Sequence, residues 1–177
     1  MGRARTIDRD RVLDVAEQIV SRDGATALTF DAVAKASGIT KGGVQYCFGT
    51  KDDLIAAMVE RWLARFDAEV ARSTPPDADN VARARGYVVA SKRIDEATQT
   101  KMAGMLVTLL QSPGYLHRAR TWYAEWIGMF DAGSASERRA RTAFLAAEGA
   151  FYLRSLNLIE LDQAGWDDVF DDILKLV

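Results

Sequence analysis

Three polar side chains in one short segment, Lys41, Gln45 and Tyr46, have the chemistry that DNA recognition requires. The amide of Gln can make paired hydrogen bonds to the edge of a base, while Lys and Tyr can reach phosphate oxygens. At helical spacing these side chains point away from Val44 and Phe48, which are four residues apart and are expected to face inward. The segment therefore predicts a helix whose outer face, polar and cationic at its start, fits a major groove.

Two short helices and a tight turn must position that face. Thr29 is expected to cap a first amphipathic helix. Gly38 is expected to end it, because glycine adopts a left-handed backbone at no steric cost. Thr40 then caps the second helix, over residues 41–48. Two short helices across a glycine-centred turn predict a helix-turn-helix.

The second helix opens with two glycines, Gly42 and Gly43. Each is expected to cost about 0.5–1 kcal/mol relative to Ala inside a helix. Close approach of the backbone to DNA is one explanation for their presence. An under-packed first turn is the alternative.

The segment AVAKASGITKGGVQYCFGTKDDLIAAMV resembles the DNA-binding domain of TetR-family transcriptional repressors. The resemblance rests on the Thr29 cap, the AKASGIT turn, the aromatic residues Tyr46 and Phe48, and the helix that opens with Lys51. It implies that the residues matching the operator contacts of the family touch DNA. The predicted DNA-binding residues are Thr29, Thr40, Lys41, Gly42, Gln45, Tyr46 and Lys51.

The resemblance is strong over about the first third of the chain, and the remainder follows the family only in its helical pattern and length. Cys47 and Gly43 depart from the family pattern, so no phosphate contact is expected at either position. Ligand-sensing domains of this family diverge widely. The resemblance therefore implies the mechanism and leaves the inducer open.

Length and periodicity agree with an all-α protein. The chain has 177 residues, 49% of them hydrophobic, which is enough for a substantial core. We expect an N-terminal three-helix head at residues 1–52, which binds DNA, and a larger helical body at 53–177 for ligand binding and dimerisation. The periodic pattern predicts about nine helices, at 8–21, 29–38, 41–48, 51–72, 78–93, 96–111, 116–130, 136–158 and 163–176. Pro75 and Pro76 mark a loop after the fourth.

The distribution of charge favours a nucleic-acid partner for the head, although the net charge is −2. Residues 1–51 hold eight Lys and Arg against six Asp and Glu, and the rest holds fifteen against nineteen. An arm with Arg3, Arg5, Arg9 and Arg11 could follow the phosphate backbone. A solvated tail is the alternative interpretation of this arm.

Catalysis and metal binding have no support in the sequence. The chain has one Cys and one His, Cys47 and His117, far apart in sequence, and they form no zinc set or catalytic constellation. We expect no enzyme activity, no cofactor and no metal. The charged start of the sequence and the lack of a long apolar run predict a cytoplasmic protein with no membrane partner.

Apolar and aromatic residues of the body predict a pocket for a small-molecule effector, because Met is adaptable and Trp offers a flat face. The resemblance favours this interpretation over plain core packing, the alternative for each residue. A hydrophobic or aromatic ligand is expected, although Glu125 among aromatics would suit a cation. The predicted ligand-binding residues are Met102, Met105, Leu106, Trp122, Trp126, Phe130, Glu148 and Tyr152.

The last two helices carry more apolar surface than one layer needs. Small residues such as Ala143, Ala147 and Ala150 let helices approach closely, and Trp166 and Phe170 extend the strip. We expect a homodimer through these helices, which would bind a palindromic double-stranded operator; an intramolecular core is the alternative. Ligand would shift the long helix at 51–72 and release DNA. A transcriptional activator or a ligand-independent DNA-binding protein of the same fold is the other function kept open.

Overall fold

The structure, a computed structural model, describes residues 7–95, 98, 99, 102 and 113–177, and within them it is all-helical. The α-helices are α1 Arg9–Asp23, α2 Phe30–Ser37, α3 Lys41–Phe48, α4 Lys51–Arg72, α5 Asn80–Lys92, α6 Pro113–Gly128, α7 Ala135–Ser155 and α8 Gln163–Leu174. A 3₁₀ turn, Ala25–Ala27, follows α1. The absence of strands from this described part agrees with the predicted all-α class. The predicted helix at 96–111 falls almost entirely outside the described residues.

Two helix ends differ by three residues from their predicted positions, and each has a local reason. The helix predicted from Leu116 begins earlier, at Pro113, because proline is well suited to the first position of a helix. The helix predicted to reach Leu158 ends at Ser155. Asn157 has a φ of 51°, and such a left-handed residue commonly follows the end of a helix.

The described residues belong to two compact units, one within residues 1–62 and 104–119, the other within 63–103 and 120–177. In the first unit, α1, α2 and α3 pack together with the first part of α4. Its fully buried side chains include Val12, Ala16, Leu28, Val33, Val44, Leu54 and Met58. This core holds the helix-turn-helix in one arrangement.

An ion-pair network links α4 to α1 within the first unit. The Arg61 guanidinium lies 2.5 Å from Glu17 Oε1 and 2.9 Å from Asp14 Oδ1. It also donates a hydrogen bond to the Asp10 carbonyl at 3.0 Å. Glu17 is only 5% exposed, and the Arg61 guanidinium compensates its buried charge.

The core of the second unit is built around α5, which packs against α7 and α8. Tyr87 and Phe144 are fully buried, with ring centroids 4.7 Å apart. Trp126 of α6 stacks on Phe144 at 5.3 Å. Close approach of the α4–α5 loop requires Gly86 of α5, because a Cβ there would lie 2.0 Å from Thr74 Oγ1.

Candidate functional site

The turn between α2 and α3 has the predicted geometry. Gly38 follows α2 with φ 72° and ψ 25°, the left-handed conformation that favours glycine. Thr40 is extended, and its Oγ1 accepts a hydrogen bond from the Gly43 amide at 3.0 Å. Thr29 caps α2 in the same way, through the Ala32 amide at 3.1 Å. All three predicted helix boundaries are therefore confirmed.

The helix α3 is anchored on one side and exposed on the other. Val44 and Phe48 are buried against the first unit. Lys41, Gln45 and Tyr46 are exposed, and Tyr46 keeps 89% of its surface accessible. A tyrosine with so little of its ring buried contributes almost no packing energy to this chain, so its side chain is available to a partner.

The starts of α2 and α3 lie together. Lys41 Nζ is 2.8 Å from Asp31 Oδ2, and both side chains are exposed. An exposed pair of this kind contributes about 0–1 kcal/mol, so a phosphate group can replace Asp31 as the partner of Lys41. Thr29 and Thr40 cap the same two helix ends, whose free amides attract anions.

Lys51 is exposed at the start of α4, where Thr50 and Asp53 form a capping box. Thr50 Oγ1 accepts a hydrogen bond from the Asp53 amide at 3.1 Å, and Asp53 Oδ2 accepts one from the Thr50 amide at 3.0 Å. The Thr50 donors hold the pKa of Asp53 below its usual value, because they stabilise the carboxylate. This box fixes the backbone that carries Lys51.

The two glycines of α3 have different surroundings. A Cβ at Gly43 would lie 3.0 Å from Ile7 Cδ1 and 3.3 Å from Thr40 Oγ1, so packing restricts this position. A Cβ at Gly42 would lie 4.0 Å from the Thr40 hydroxyl and have more room. The packing of the chain explains the lack of a side chain at Gly43 and does not explain it at Gly42.

The predicted basic arm is described only in part. Arg3 and Arg5 lie outside the described residues, whereas Arg9 and Arg11 are exposed in the first turn of α1. The Arg9 guanidinium lies 4.8 Å from the centroid of the Phe48 ring, within the range of a cation–π contact. Arg9 therefore packs beneath α3.

A half-open cleft of about 540 Å³ lies in the second unit, at the end of α4. Two of the predicted ligand-binding residues, Trp122 and Trp126, line it together with Met129. The remaining lining residues come from α4, the α4–α5 loop, α5 and α6: Asp67, Val70, Ala71, Thr74, Pro75, Pro76, Ala78, Arg83 and Glu125. Two indole rings and three ionisable side chains thus face one space.

Within this cleft, Asp67 is held by an indole. Trp122 Nε1 donates to both carboxylate oxygens of Asp67, at 3.2 Å each. Partial burial raises the pKa of Asp67 above its usual value, and the Trp122 hydrogen bond opposes that shift. The Arg83 guanidinium lies 5.7 Å from the Trp126 ring centroid.

Glu148, predicted to contact ligand, lies in a cluster of tyrosines. Its carboxylate accepts hydrogen bonds from the hydroxyls of Tyr87 and Tyr123. The Tyr123 and Tyr152 hydroxyls are 2.9 Å apart. Burial raises the pKa of Glu148 above its usual value although both tyrosine donors stabilise the ionised form. The cluster is a satisfied polar network inside an apolar unit.

The other predicted ligand residues have separate locations. Phe130 is buried, with its ring 6.4 Å from Phe144. Met102 is also buried, whereas Met105 and Leu106 lie outside the described residues. The structure therefore brings Trp122 and Trp126 together at the cleft and places Phe130 in the core.

An apolar stripe lies on the outer side of α7. Leu145, Leu153 and Leu156 are 54%, 36% and 36% exposed, and Gly149 lies between them at helical spacing. The exposed residues Leu158, Ile159 and Leu161 continue the apolar surface beyond α7.

The residues predicted to form the dimer contact pack differently. Ala143, Ala147 and Ala150 of α7 are buried in the core of the chain itself. The same holds for Trp166 and Phe170 of α8. An intramolecular role, the alternative considered for this pattern, thus applies to these five side chains. Sequence periodicity does not distinguish the two faces of α7, because both are apolar.

Groups of three or more metal-binding side chains do not occur among the described residues. Among the described helices, none combines the length and the apolar character that a membrane crossing requires.

Two family patterns match the chain. Residues 12–58 match "Bacterial regulatory proteins, tetR family". Residues 81–177, more than half of the chain, match "Tetracyclin repressor-like, C-terminal domain". The chain belongs to the TetR family. The predicted family is confirmed: the first match is to bacterial regulatory proteins and covers the helix-turn-helix, and the second is to a tetracyclin-repressor-like C-terminal domain.

One sequence relative and two solved structures support this family and fold. A helix-turn-helix transcriptional regulator encoded in the dhlA 5′ region of Xanthobacter autotrophicus is 31% identical over 77 residues, 44% of this chain and 38% of that protein. The match thus spans well under half of that relative. A transcriptional regulator from Rhodococcus sp. Rha1 has a TM-score of 0.70 at 18% identity, covering 97% of this chain and 96% of its own. The multidrug binding protein EbrR, complexed with ethidium, has a TM-score of 0.70 at 21% identity, covering 96% and 97%. At these identities the two structures share the TetR fold.

Sequence reasoning missed Asp67 and Arg83 as residues that line a cavity of this TetR-family body. Asp67 lies on α4 and Arg83 on α5, and the loop with Pro75 and Pro76 brings these helices to one space. The proline pair signals that the chain turns there. It does not indicate which side chains meet after the turn.

Proposed function

We propose that this TetR-family chain represses transcription by binding a palindromic operator as a dimer, and that a small hydrophobic or aromatic ligand releases it. The observation that carries the proposal is the exposed face of α3, where Tyr46 is 89% accessible on a helix anchored by Val44 and Phe48. We assign DNA binding to residues 1–52, and ligand binding and dimerisation to 53–177. The protein would act on DNA in the bacterial cytoplasm.

Each residue of the DNA face has its own role in this proposal. Gln45 enters the major groove and makes paired hydrogen bonds to a base edge. Lys41, Tyr46 and Lys51 bind phosphate groups and fix the register of the head. The capped ends of α2 and α3, at Thr29 and Thr40, present backbone amides to the phosphate backbone. Gly42 permits the backbone of α3 to come close to the DNA.

Dimerisation supplies the second recognition helix. Regulators of this family act as dimers, and the exposed stripe formed by Leu145 and Leu153 on α7 and by Leu156 at its C-cap supports a two-fold contact there, with α8 beside it. An apolar patch of this kind on a monomer commonly marks an interface. Two α3 helices about 34 Å apart would read two half-sites one helical turn apart.

The chain path of α4 supports the proposed release by ligand. This helix begins with Lys51 at the proposed DNA face and extends to Asp67, which lines the cleft. A ligand that prefers one conformation of α4 shifts the population of DNA-competent dimers. EbrR, a structural neighbour, is a multidrug binding protein seen with ethidium, which supports a ligand role for the same fold in this chain.

The test measures affinity for the DNA upstream of the protein's own gene at two salt concentrations, beside a scrambled duplex. The native fragment should bind more tightly, with an affinity that falls as salt rises. Gln45→Ala should reduce discrimination at one base pair by about 1–3 kcal/mol. Lys51→Ala should weaken binding to all duplexes alike, and it should reduce the slope of log affinity against log salt concentration by about one.

Lys35→Ala is the matched control, because Lys35 is an exposed lysine on α2 outside the proposed DNA-contact set. It should leave the preference for the native fragment unchanged. Equal losses of specificity in the Gln45, Lys51 and Lys35 variants would contradict the assigned roles. Transcription in vitro from the bound promoter then separates a repressor, which lowers transcript yield, from an activator.

A further inference from the structure

The cleft at the end of α4 combines aromatic walls with acidic groups. Trp122 and Trp126 contribute two indole rings, and Asp67 and Glu125 contribute two carboxylates. Among the lining residues that the structure describes, Arg83 is the basic one. Two acidic groups and one basic group give the lining a net charge of −1 when all three are ionised. The cleft is therefore biased towards a positively charged occupant.

One indole of this cleft, that of Trp126, already interacts with a cation from the chain itself. The Arg83 guanidinium lies 5.7 Å from the Trp126 ring centroid. Cations are attracted to indole faces because the ring quadrupole is negative above the plane. Trp122, the neighbouring ring at 5.9 Å, offers a second indole, and its Nε1 is directed at Asp67.

Asp67 has lost part of its hydration. Burial raises the pKa of Asp67, while the Trp122 hydrogen bond and the Arg83 charge favour the ionised carboxylate. Glu125 contributes a second negative charge that disfavours ionisation of Asp67. A positively charged ligand between the two carboxylates would remove this repulsion and replace the lost hydration.

The size and walls of the cleft set the shape of the occupant. About 540 Å³ falls within the range of about 300–1,000 Å³ that small-molecule sites occupy. Pro75 and Pro76 form a wall with fixed backbone φ angles, and Met129 supplies a deformable apolar surface. A flat body of about two fused rings fits such a space.

We propose that this cleft binds an organic cation with a flat aromatic body, which packs on the partly exposed Trp122 and places its charge beside Asp67 and Glu125. Trp126, 6% exposed and stacked on Phe144, closes the wall behind it. The proposal rests on the proposed function of the body as the effector-binding unit and names the class of effector. An anion of the same shape would meet two carboxylates. A neutral isostere would bury apolar surface without compensating the charge of Asp67.

The test compares three probes of similar shape by titration calorimetry on the full chain without DNA. The probes are 1-methylquinolinium chloride, 2-methylquinoline at a pH where it is uncharged, and naphthalene-1-sulfonate. The cation should bind about tenfold more tightly than the neutral probe, and the anion more weakly than both. Calorimetry avoids optical interference from the probes, which absorb in the same range as tryptophan.

Charge-removing variants locate the site. Asp67→Asn and Glu125→Gln should each lower the affinity for the cation about fivefold and leave the affinity for the neutral probe unchanged. Asn at position 67 keeps an oxygen that can accept the Trp122 hydrogen bond. Glu160→Gln, which removes one exposed charge outside the cleft, is the matched control and should change neither affinity.

The proposal is overturned if the cation fails to bind, if cation and neutral probe bind equally, or if Glu160→Gln weakens the cation as much as Asp67→Asn. Preferential binding of the anion would also overturn it and assign the selectivity to Arg83. Failure of the DNA-binding proposal is recognised separately, since the probes are titrated in the absence of DNA. If the protein binds the cation but has no affinity for the operator, the proposed cation site stands and the proposed function as a regulator fails.

Discussion

Replacing Gly42 with Ala should make the protein more stable and its DNA binding weaker. Glycine costs about 0.5–1 kcal/mol relative to Ala in a helix. A methyl group at Gly42 would lie 4.0 Å from Thr40 Oγ1, an ordinary van der Waals distance. The free energy of unfolding should therefore rise by about 0.5 kcal/mol, since Gly42 lies in the first turn, where the helical constraint is smaller.

The opposite effect on DNA binding follows from the distance that the proposed contact requires. Amides in the first turn of a helix have no intrahelical acceptor, and a phosphate oxygen bound to one lies about 2.9 Å from its nitrogen. A Cβ needs about 3.5–4.0 Å from its neighbours, so the added methyl group holds the DNA away. We expect a loss of about tenfold in operator affinity, equivalent to about 1.4 kcal/mol.

The assay pairs urea denaturation with a DNA titration on the same preparation, at one fixed protein concentration because dimerisation contributes to stability. Gly128→Ala is the control. Gly128 ends α6, and a Cβ there would meet no atom within 4 Å. This variant should gain stability or leave it unchanged, and it should bind the operator normally.

Two results would refute the reasoning about Gly42. If Gly42→Ala binds the operator as tightly as the parent, the backbone of α3 does not approach DNA at this position. If Gly42→Ala lowers the free energy of unfolding, the glycine serves the fold and its open surroundings have been misjudged.

Three further substitutions test the units that carry the proposed sites. Arg61→Met should lower the free energy of unfolding by about 3–5 kcal/mol in urea denaturation, because it removes the guanidinium from the buried Glu17 carboxylate. The double variant with Glu17→Met should recover most of that loss. Losses that add in the double variant would contradict the pairing of Arg61 with Glu17. Gly86→Ala should lower the free energy of unfolding by about 1–3 kcal/mol in the same assay, because its Cβ would overlap Thr74 Oγ1. An unchanged urea midpoint would contradict that overlap. Burial raises the pKa of Glu148 in the folded state. Between the unfolded-state pKa and this higher folded-state pKa, the folded protein binds more protons than the unfolded protein. The parent should therefore lose stability as the pH rises above the unfolded-state pKa of Glu148. Glu148→Gln should flatten that part of the pH profile, and identical profiles would contradict the assignment.

Much of the fold could be predicted because its signals are local. Thr29 and Thr40 cap helices within three residues of themselves, and Gly38 ends a helix by its own backbone conformation. Such signals depend on neighbours in sequence, so the boundaries of α2 and α3 follow from residue types alone. The end of α7 was wrong by three residues because Asn157 adopts a left-handed conformation that many asparagines in helical patterns do not adopt.

The effector site could be predicted only in part because its members come from separate helices. Trp122 and Trp126 share one helix face, and their spacing indicated a common surface. Asp67 and Arg83 reach the same cleft only after the α4–α5 loop reverses the chain. Glu148, by contrast, looked like a ligand-orienting group, and the structure gives it two tyrosine donors. Burial and partners of a single polar residue are non-local properties, which residue spacing does not contain.

The proposed effector and the proposed DNA face constrain one another through linkage. If a cation in the cleft lowers the affinity of the protein for the operator by some factor, operator binding must lower the affinity for the cation by the same factor. Moving a population from almost wholly DNA-competent to almost wholly released requires a differential affinity of about 10⁴. The carboxylates of Asp67, which is partly buried, and of Glu125, which is exposed, supply only a fraction of that, because a charge pair open to solvent contributes about 0–1 kcal/mol. Most of the differential must therefore come from the indole of Trp122 and the other apolar walls of the cleft, whose contact with a ligand depends on how the helices around the cleft are packed.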